Sequence, residues 1–314
     1  MSPIGIVFTD RVAIRQVIVE PRLPYSKNRT SALVQLFTRR AGAADGQADD
    51  AMRSLVARLS EPSNWVGVAT DLNRFLRNRR IVETKVVRGL SSDGYIEPVG
   101  CAFDDGFRMV LKGGSAQTRS RFTIAHELCH TFFYEIVPEL KFGSREANPE
   151  EERLCNLGAS ELLIPTRSLK TRAKKYQVSV TSLEELARMY VVSPEAMLLR
   201  LRSLRLWDCE LSFWRPTQHG FLMDRMIGGR RAKWVWSDDA ALRRAWESNQ
   251  TVSGRTYVEL RDSGGGLQLR SVCFQLVKRS NLILALWSGK PFEDEPRRLP
   301  LFETKNIFRA EAKR

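Results

Sequence analysis

Two histidines four residues apart restrict this chain more than any other feature. Only three histidines occur in its 314 residues, and two of them stand in Arg121-Phe-Thr-Ile-Ala-His126-Glu127-Leu-Cys-His130, an H-E-x-x-H pattern. Residues four apart on a helix share a face, so His126 and His130 can turn imidazole nitrogens toward a single zinc ion. Glu127, one residue round from His126, can reach the water on such a metal without ligating the metal itself. Phe122, Ile124, Leu128, Phe132 and Phe133 surround these groups and predict a buried helix. Two imidazoles and a carboxylate in a buried helix need a compensating partner, and Zn2+ supplies one.

A catalytic zinc keeps three protein ligands and one open position, so a third ligand is expected from a separate downstream helix. Pro149-Glu150-Glu151-Glu152-Arg-Leu-Cys-Asn156 offers three adjacent glutamates. Glu152 and Asn156 lie four apart on one face, continued by Ala159 or Ser160 and Leu163. Glu152 can then bind zinc while Asn156 accepts from the second ring nitrogen of a ligand histidine. Glu150 and Glu151 read instead as first-turn acids favoured by the helix dipole. The expected chemistry is metal-assisted peptide hydrolysis with Glu127 as general base. Tyr134, Tyr190 and His219 are unranked candidates for a second oxyanion donor.

The rest of the composition bounds the setting. Hydrophobic content of 43% and charged content of 27% fit a folded chain, and its length predicts two domains. No apolar stretch approaches the roughly 20 residues of a membrane span, and Met1 to Asp10 lacks a basic leader and a small-residue cleavage site. Five scattered cysteines, odd in number, do not make a secreted disulfide framework. A cytoplasmic location and no membrane partner are expected. The net charge of +14 favours polyanions, nucleic acid above all, with a merely solubilising surface as the alternative.

Along the chain, short β-branched runs (Ile4 to Phe8, Val12 to Val19) and an apolar stretch from Ala32 to Phe37 precede Ala41 to Asp50, which reads as a linker. Apolar spacing predicts a helix over Trp65 to Leu76, then a strand over Ile81 to Val87. A hairpin is expected within Phe103 to Lys112, around Asp104-Asp105-Gly106, ending in Gly113-Gly114. Helices follow over Arg121 to Glu135 and Pro149 to Leu163. Three short amphipathic segments come next: Leu169 to Tyr176, Ser182 to Tyr190 opened by a Ser182/Glu185 capping box, and one from Ser193-Pro194 to about Leu206. They read as a helix-turn-helix-like unit or as a helical buttress. Beyond Trp207, strand-like runs at Leu211 to Trp214, Lys233 to Trp236, Tyr257 to Leu260, Leu267 to Val277 and Leu282 to Trp287, with a helix over Asp238 to Trp246, predict an α+β domain.

The run R-F-T-I-A-H-E-L-C-H followed by E-R-L-C-N-L-G-A-S-E-L-L-I-P resembles the ImmA/IrrE family of bacterial metallopeptidases over roughly Trp65 to Trp207. The resemblance implies Glu152 as third zinc ligand, since the family's ligand glutamate stands four before an asparagine or aspartate. It departs at Cys129, where the family usually has glycine. It further implies an α+β fold: residues 1–50 as extension and linker, 51–166 as a zincin-like, mainly helical peptidase domain with a small sheet, 167–207 as the helix-turn-helix-like unit, and 208–314 as a GAF-like sensor domain. The implied substrate is a helix-turn-helix repressor whose cleavage derepresses stress, DNA-damage or defence genes. Together with the charge, it implies activation by single-stranded or damaged DNA. The alternative is a zinc-stabilised DNA-binding regulator without peptidase activity. Cys101 is the candidate switch, a thiolate able to take the fourth zinc position until displaced or oxidised. Oligomeric state is not legible.

Overall fold

The computed structural model describes residues 31–44, 47–60, 70–100, 103–138, 148–228, 239–261 and 267–292. The early β-branched runs, the Lys233 to Trp236 run and Cys101 lie outside them. The described chain is α+β.

Helices α1 (Ala32–Arg40) and α2 (Ala48–Ser60) come first. The polar stretch expected as a linker ends inside α2, because Asp49 and Asp50 are its first-turn acids and pair with Arg53 at 3.8 and 2.9 Å. Helix α3 is Leu72–Asn78 and starts later than the apolar spacing suggests. Asp71 caps it by accepting from the Asn73 N–H at 3.0 Å, while residues 61–69 are not described.

Strands β1 (Ile81–Val87), β2 (Gly94–Pro98) and β3 (Phe107–Lys112) form a small sheet in the order β1-β3-β2. Strand β3 runs parallel to β1 and antiparallel to β2. The hairpin expected within 103–112 does not form. Phe103–Asp105 is a 3-10 turn, and Gly106, at φ +85°, swings the chain into β3, whose antiparallel partner lies upstream. A Cβ at Gly106 would sit 2.7 Å from the Arg80 carbonyl oxygen, so position and conformation both call for glycine.

Two long helices follow, α4 (Gln117–Ile136) and α5 (Pro149–Leu163). They approach closely at Gly158, where a Cβ would stand 2.6 Å from Cys129 Sγ and 2.9 Å from Met52 Sδ of α2. On α4, Phe133 stacks on Phe37 of α1 with ring centroids 4.2 Å apart. Helix α4 is therefore embedded among α1, α5 and the small sheet, which is why apolar residues crowd its polar triplet.

Helices α6 (Thr166–Ala173), α7 (Val180–Tyr190) and α8 (Pro194–Ser203) make the three-helix unit. The Ser182/Glu185 box does not cap α7. Ser179 does, accepting from the Ser182 N–H at 3.0 Å and adding two residues at the start. Ser193 and Pro194 open α8 as expected. Arg200, 2% exposed, ties α8 back to α5 by donating to the Ile164 carbonyl and pairing with Glu161.

Strands β4 (Cys209–Thr217), β5 (Gly220–Ile227), β6 (Val252–Arg261), β7 (Leu267–Arg279) and β8 (Leu282–Ser288) form an antiparallel sheet in the order β5-β4-β8-β7-β6. Strand β5 escapes the sequence reading because its outward-facing side chains are mixed and only half-buried. Helix α9 (Asp239–Ser248) packs Ala241, Leu242 and Ala245 on one face beside Trp214, Phe274 and Trp287. Side chains including Cys209, Leu211 and Leu286 join the main core, which also contains α7 and α8. One outward carboxylate on each of these two helices is engaged by the same sheet. Arg279 grips Glu184 with two bonds of 2.6 Å, and Arg225 meets Glu195 at 2.5 Å. Of the two readings of the three-helix unit, this packing favours the buttress. No helix among the described residues is long and apolar enough to cross a membrane.

Candidate metal centre

Helix α4 carries His126 and His130 one turn apart, and the start of α5 brings three glutamates across to them. Asn148 fixes that start, its side-chain oxygen accepting from the N–H groups of Glu150 and Glu151 at 3.0 and 3.3 Å. Its amide donates in turn to Ser31 Oγ at 3.0 Å, and the Ser31 N–H donates to Glu150. Glu150 is thus occupied at the helix tip by the chain that enters α1.

His126, His130 and Glu152 form a group whose ligand atoms all lie within 4.8 Å of one another. The two Nε2 atoms are 3.1 Å apart. One Glu152 oxygen stands 3.1 Å from His126 Nε2 and the other 3.5 Å from His130 Nε2. Ligands at about 2.0–2.1 Å on a tetrahedral zinc are separated by roughly 3.3 Å, so these spacings suit one small divalent ion. A set of two imidazoles and a carboxylate suits zinc among first-row metals, and other divalent ions of that row too.

The remaining ring nitrogens are both engaged. His126 Nδ1 lies 3.0 Å from Asn156 Oδ1, the partner expected from the spacing. His130 Nδ1 lies 2.9 Å from Glu151 Oε1. This second contact was missed, because Glu151 reads as a solvent-facing first-turn acid. It is instead 3% exposed, turned inward beneath His130. The available signal was arithmetic: two histidines four apart need two outer partners, and Asn156 serves only one. With both Nδ1 positions held, both imidazoles present Nε2 to the same point.

Glu127 is 6% exposed beside this group. Burial pushes its carboxyl above the ordinary range and the Glu152 charge adds to this, while the two imidazoles oppose it. For His130, burial works to lower the pKa, but the Glu151 hydrogen bond and the charges of Glu127, Glu151 and Glu152 together outweigh it and hold the imidazole above its usual value. The Glu152 side chain is 44% exposed against 14 and 12% for the histidines, so solvent reaches the centre from the α5 side.

The other sequence candidates fall elsewhere. Cys101 lies outside the described residues. Tyr190 is fully buried with its hydroxyl 2.7 Å from Ser168 Oγ, and His219 is exposed in the β4–β5 turn. Tyr134 packs on Phe107, ring centroids 5.3 Å apart. Cys129 faces Gly158 in the core, with burial pushing its thiol up to about 12. A second unforeseen residue is Arg79, 5% exposed, which donates to Thr131 Oγ1 at 2.7 Å and to Glu135 at 2.6 Å and so braces α4 just beyond His130.

No curated protein sequence matches the chain. A solved structure described as a Mycobacterium tuberculosis transcriptional regulator aligns over 81% of this chain and 80% of its own at 16% identity and a TM-score of 0.43, a likeness too slight to build on. The family model for Peptidase_M78, the IrrE N-terminal-like domain, matches residues 98–202, a span that runs from the end of β2 through both site helices into α8. Over residues 98–202 the chain is therefore similar to the IrrE N-terminal-like domain of the Peptidase_M78 family.

Proposed function

We propose that the chain is a zinc-dependent endopeptidase in which His126, His130 and Glu152 hold the metal and Glu127 is the general base. The observation that carries this reading is the convergence of two Nε2 atoms and a carboxylate at tetrahedral spacing beside a further, non-ligating buried carboxyl. A bound zinc supplies Lewis acidity, which acidifies a water and polarises the scissile carbonyl. Asn156 and Glu151 orient the imidazoles through Nδ1. Glu127 takes the attacking water's proton on its carboxylate and later delivers it to the leaving amine nitrogen. A purely structural zinc site has no use for Glu127, and this separates the peptidase from the non-hydrolytic DNA-binding regulator.

The substrate we propose is a helix-turn-helix repressor, on the strength of the family resemblance. Residues 51–166 act as the peptidase, 167–207 as the helical unit and 208–314 as a GAF-like sensor. The +14 charge supports activation by single-stranded or damaged DNA. Cys101 remains the proposed lock on the open zinc position, and Cys101→Ser should then cleave without a signal. The test of the main reading is incubation of the zinc-loaded protein with candidate repressors, with and without single-stranded DNA, followed by mass spectrometry of products. Specific cleavage by wild type and none by Glu127→Gln supports the assignment. Cleavage that survives in Glu127→Gln sinks it.

A further inference from the structure

The small sheet has two edges of different character. Strand β2 borders the metal-bearing helix, since a Cβ at Gly94 would stand 2.6 Å from Thr123 Cγ2 of α4. Strand β1 is the opposite edge and pairs with β3 alone among the described residues. Its side chains are unusually apolar for an open edge: Val82 is 62% and Val86 69% exposed, with Thr84 and Lys85 exposed between them. An uncovered edge presents backbone N–H and C=O groups that template pairing with another strand. Their direction follows from Val87, whose carbonyl accepts from the Gly113 N–H at 2.9 Å and so faces β3. Backbone groups alternate along a strand, so Lys85 also faces β3, while Thr84 and Val86 turn theirs to the open side. The bulge between Ile81 and Glu83 sits at the start of the strand and leaves this alternation regular from Glu83 onward.

The sequence of the edge selects its partner. Ile81-Val82-Glu83-Thr84-Lys85-Val86-Val87 is its own complement about Thr84. Laid antiparallel on a second copy with the two-fold axis at Thr84, it sets Val82 against the partner's Val86 and Ile81 against the partner's Val87. Thr84 meets the partner's Thr84 as a hydrogen-bonded pair that exchanges both N–H···O=C bonds. Glu83 then faces the partner's Lys85 on either side of the axis, in the non-hydrogen-bonded positions where Cα atoms are only about 4.5 Å apart. Opposite charges stabilise such a pair, and like charges destabilise it. A lysine on an edge strand ordinarily repels an incoming strand. In this register alone each lysine meets a glutamate. A slip of two residues sets Lys85 against the partner's Lys85 or Glu83 against the partner's Glu83, and a parallel in-register pairing does both.

We propose that the chain forms a two-fold dimer through β1, which joins the two small sheets into one of six strands, three from each copy. The assembly closes on itself, because the outer edges are then the two β2 strands, which carry Pro98 and lie against α4. Both metal centres stay on those outer sides, and the proposal does not depend on the peptidase reading. One strand pair is a small interface, so a dissociation constant of about 1–100 µM is expected.

The experiment is sedimentation velocity of the full-length protein from about 1 to 200 µM, a range that spans the expected constant. Wild type should show a reversible monomer–dimer equilibrium. Thr84→Pro removes an outward N–H that β3 does not use, a change edge strands tolerate, and should weaken the dimer by at least about tenfold. Glu83→Lys and Lys85→Glu each set like charges together twice and should each stay monomeric alone. Mixed in equal amounts they should associate, because the mixed pair restores both opposite-charge couples. Circular dichroism checks folding, and if Glu83→Lys fails to fold without its bond to Arg108, Thr84→Pro decides. A wild-type chain that stays monomeric throughout overturns the inference and leaves the edge to another segment or another protein. A dimer indifferent to Thr84→Pro, or two folded charge variants that do not associate when mixed, also overturns it by placing any contact elsewhere.

Discussion

Replacing Glu151 by alanine tests the least visible part of the metal centre. The carboxylate is 3% exposed and holds His130 Nδ1 at 2.9 Å, so its loss frees the imidazole to rotate and leaves a buried N–H without an acceptor. Outer partners of this kind are worth about 10–100-fold in metal affinity, or roughly 1.4–2.7 kcal/mol. Glu152→Ala removes a ligand outright and should cost more than that upper bound. Glu151→Gln keeps an oxygen able to accept from Nδ1 and should fall between wild type and Glu151→Ala. Glu150→Ala, whose carboxylate accepts from the Ser31 N–H at the helix tip, should bind zinc like wild type. Competition against a fluorescent zinc chelator at neutral pH, with circular dichroism to confirm folding, reads all four. The reasoning is refuted if Glu151→Ala matches wild type, or if it loses as much affinity as Glu152→Ala.

Glu127→Gln should retain zinc and lose activity by at least about 10²–10⁴-fold, the usual worth of a general base; a metal-free variant on elemental analysis would make Glu127 a ligand instead. In metal-stripped protein, the raised Glu127 pKa means that folding favours the protonated acid, so wild type gives up stability as pH rises from about 4.5, the ordinary glutamate value, through the raised one. Glu127→Gln does not titrate, and its melting advantage over wild type should widen across that window; a constant gap between pH 4 and 8 would contradict the burial argument. Burial lifts the thiols of Cys129, to about 12, and Cys155, well above the usual value, so neither should react with iodoacetamide at pH 8 until the protein unfolds. Arg200→Ala should cost about 3–5 kcal/mol in denaturant unfolding, because it strands the largely buried Glu161 carboxylate; a loss under about 1 kcal/mol would show that the pair carries little.

Much of the centre was legible because it depends on helical spacing alone. The four-residue steps from His126 to His130 and from Glu152 to Asn156 each put two groups on one face, and nothing in tertiary packing alters that. Glu151 was not legible, because its inward turn depends on how α5 crosses α4, and the close approach at Gly158 sets that crossing. The same limit explains β3. Asp104-Asp105-Gly106 has the composition of a hairpin turn, but which strand pairs with β3 is decided by β2, nine or more residues upstream. Arg79 is a still harder case, since its partners Thr131 and Glu135 are about 50 residues away in sequence.

The three-helix unit shows how a local pattern can be correct while its use is not decided locally. The amphipathic spacing and the Ser193-Pro194 start give the right helices. Whether their polar faces meet DNA or protein depends on Arg279 and Arg225, which lie in strands that follow in sequence and close over α7 and α8. Glu184 and Glu195 are poor contacts for a phosphate backbone, and here they serve as sockets for the sheet's arginines. The rear of the unit is locked to the peptidase helix α5 by Arg200, which reaches the Ile164 carbonyl and Glu161. A force applied at the C-terminal sheet therefore has a route, through these surface ion pairs and the buried Arg200, to the carboxyl end of the helix whose first turn carries Glu151 and Glu152. Breaking one outer socket with Arg279→Ala leaves the metal ligands untouched. If the route matters, that change should alter the response of cleavage to a signal while zinc affinity stays at the wild-type value. A variant that responds as wild type does would show that the sheet is only a cover.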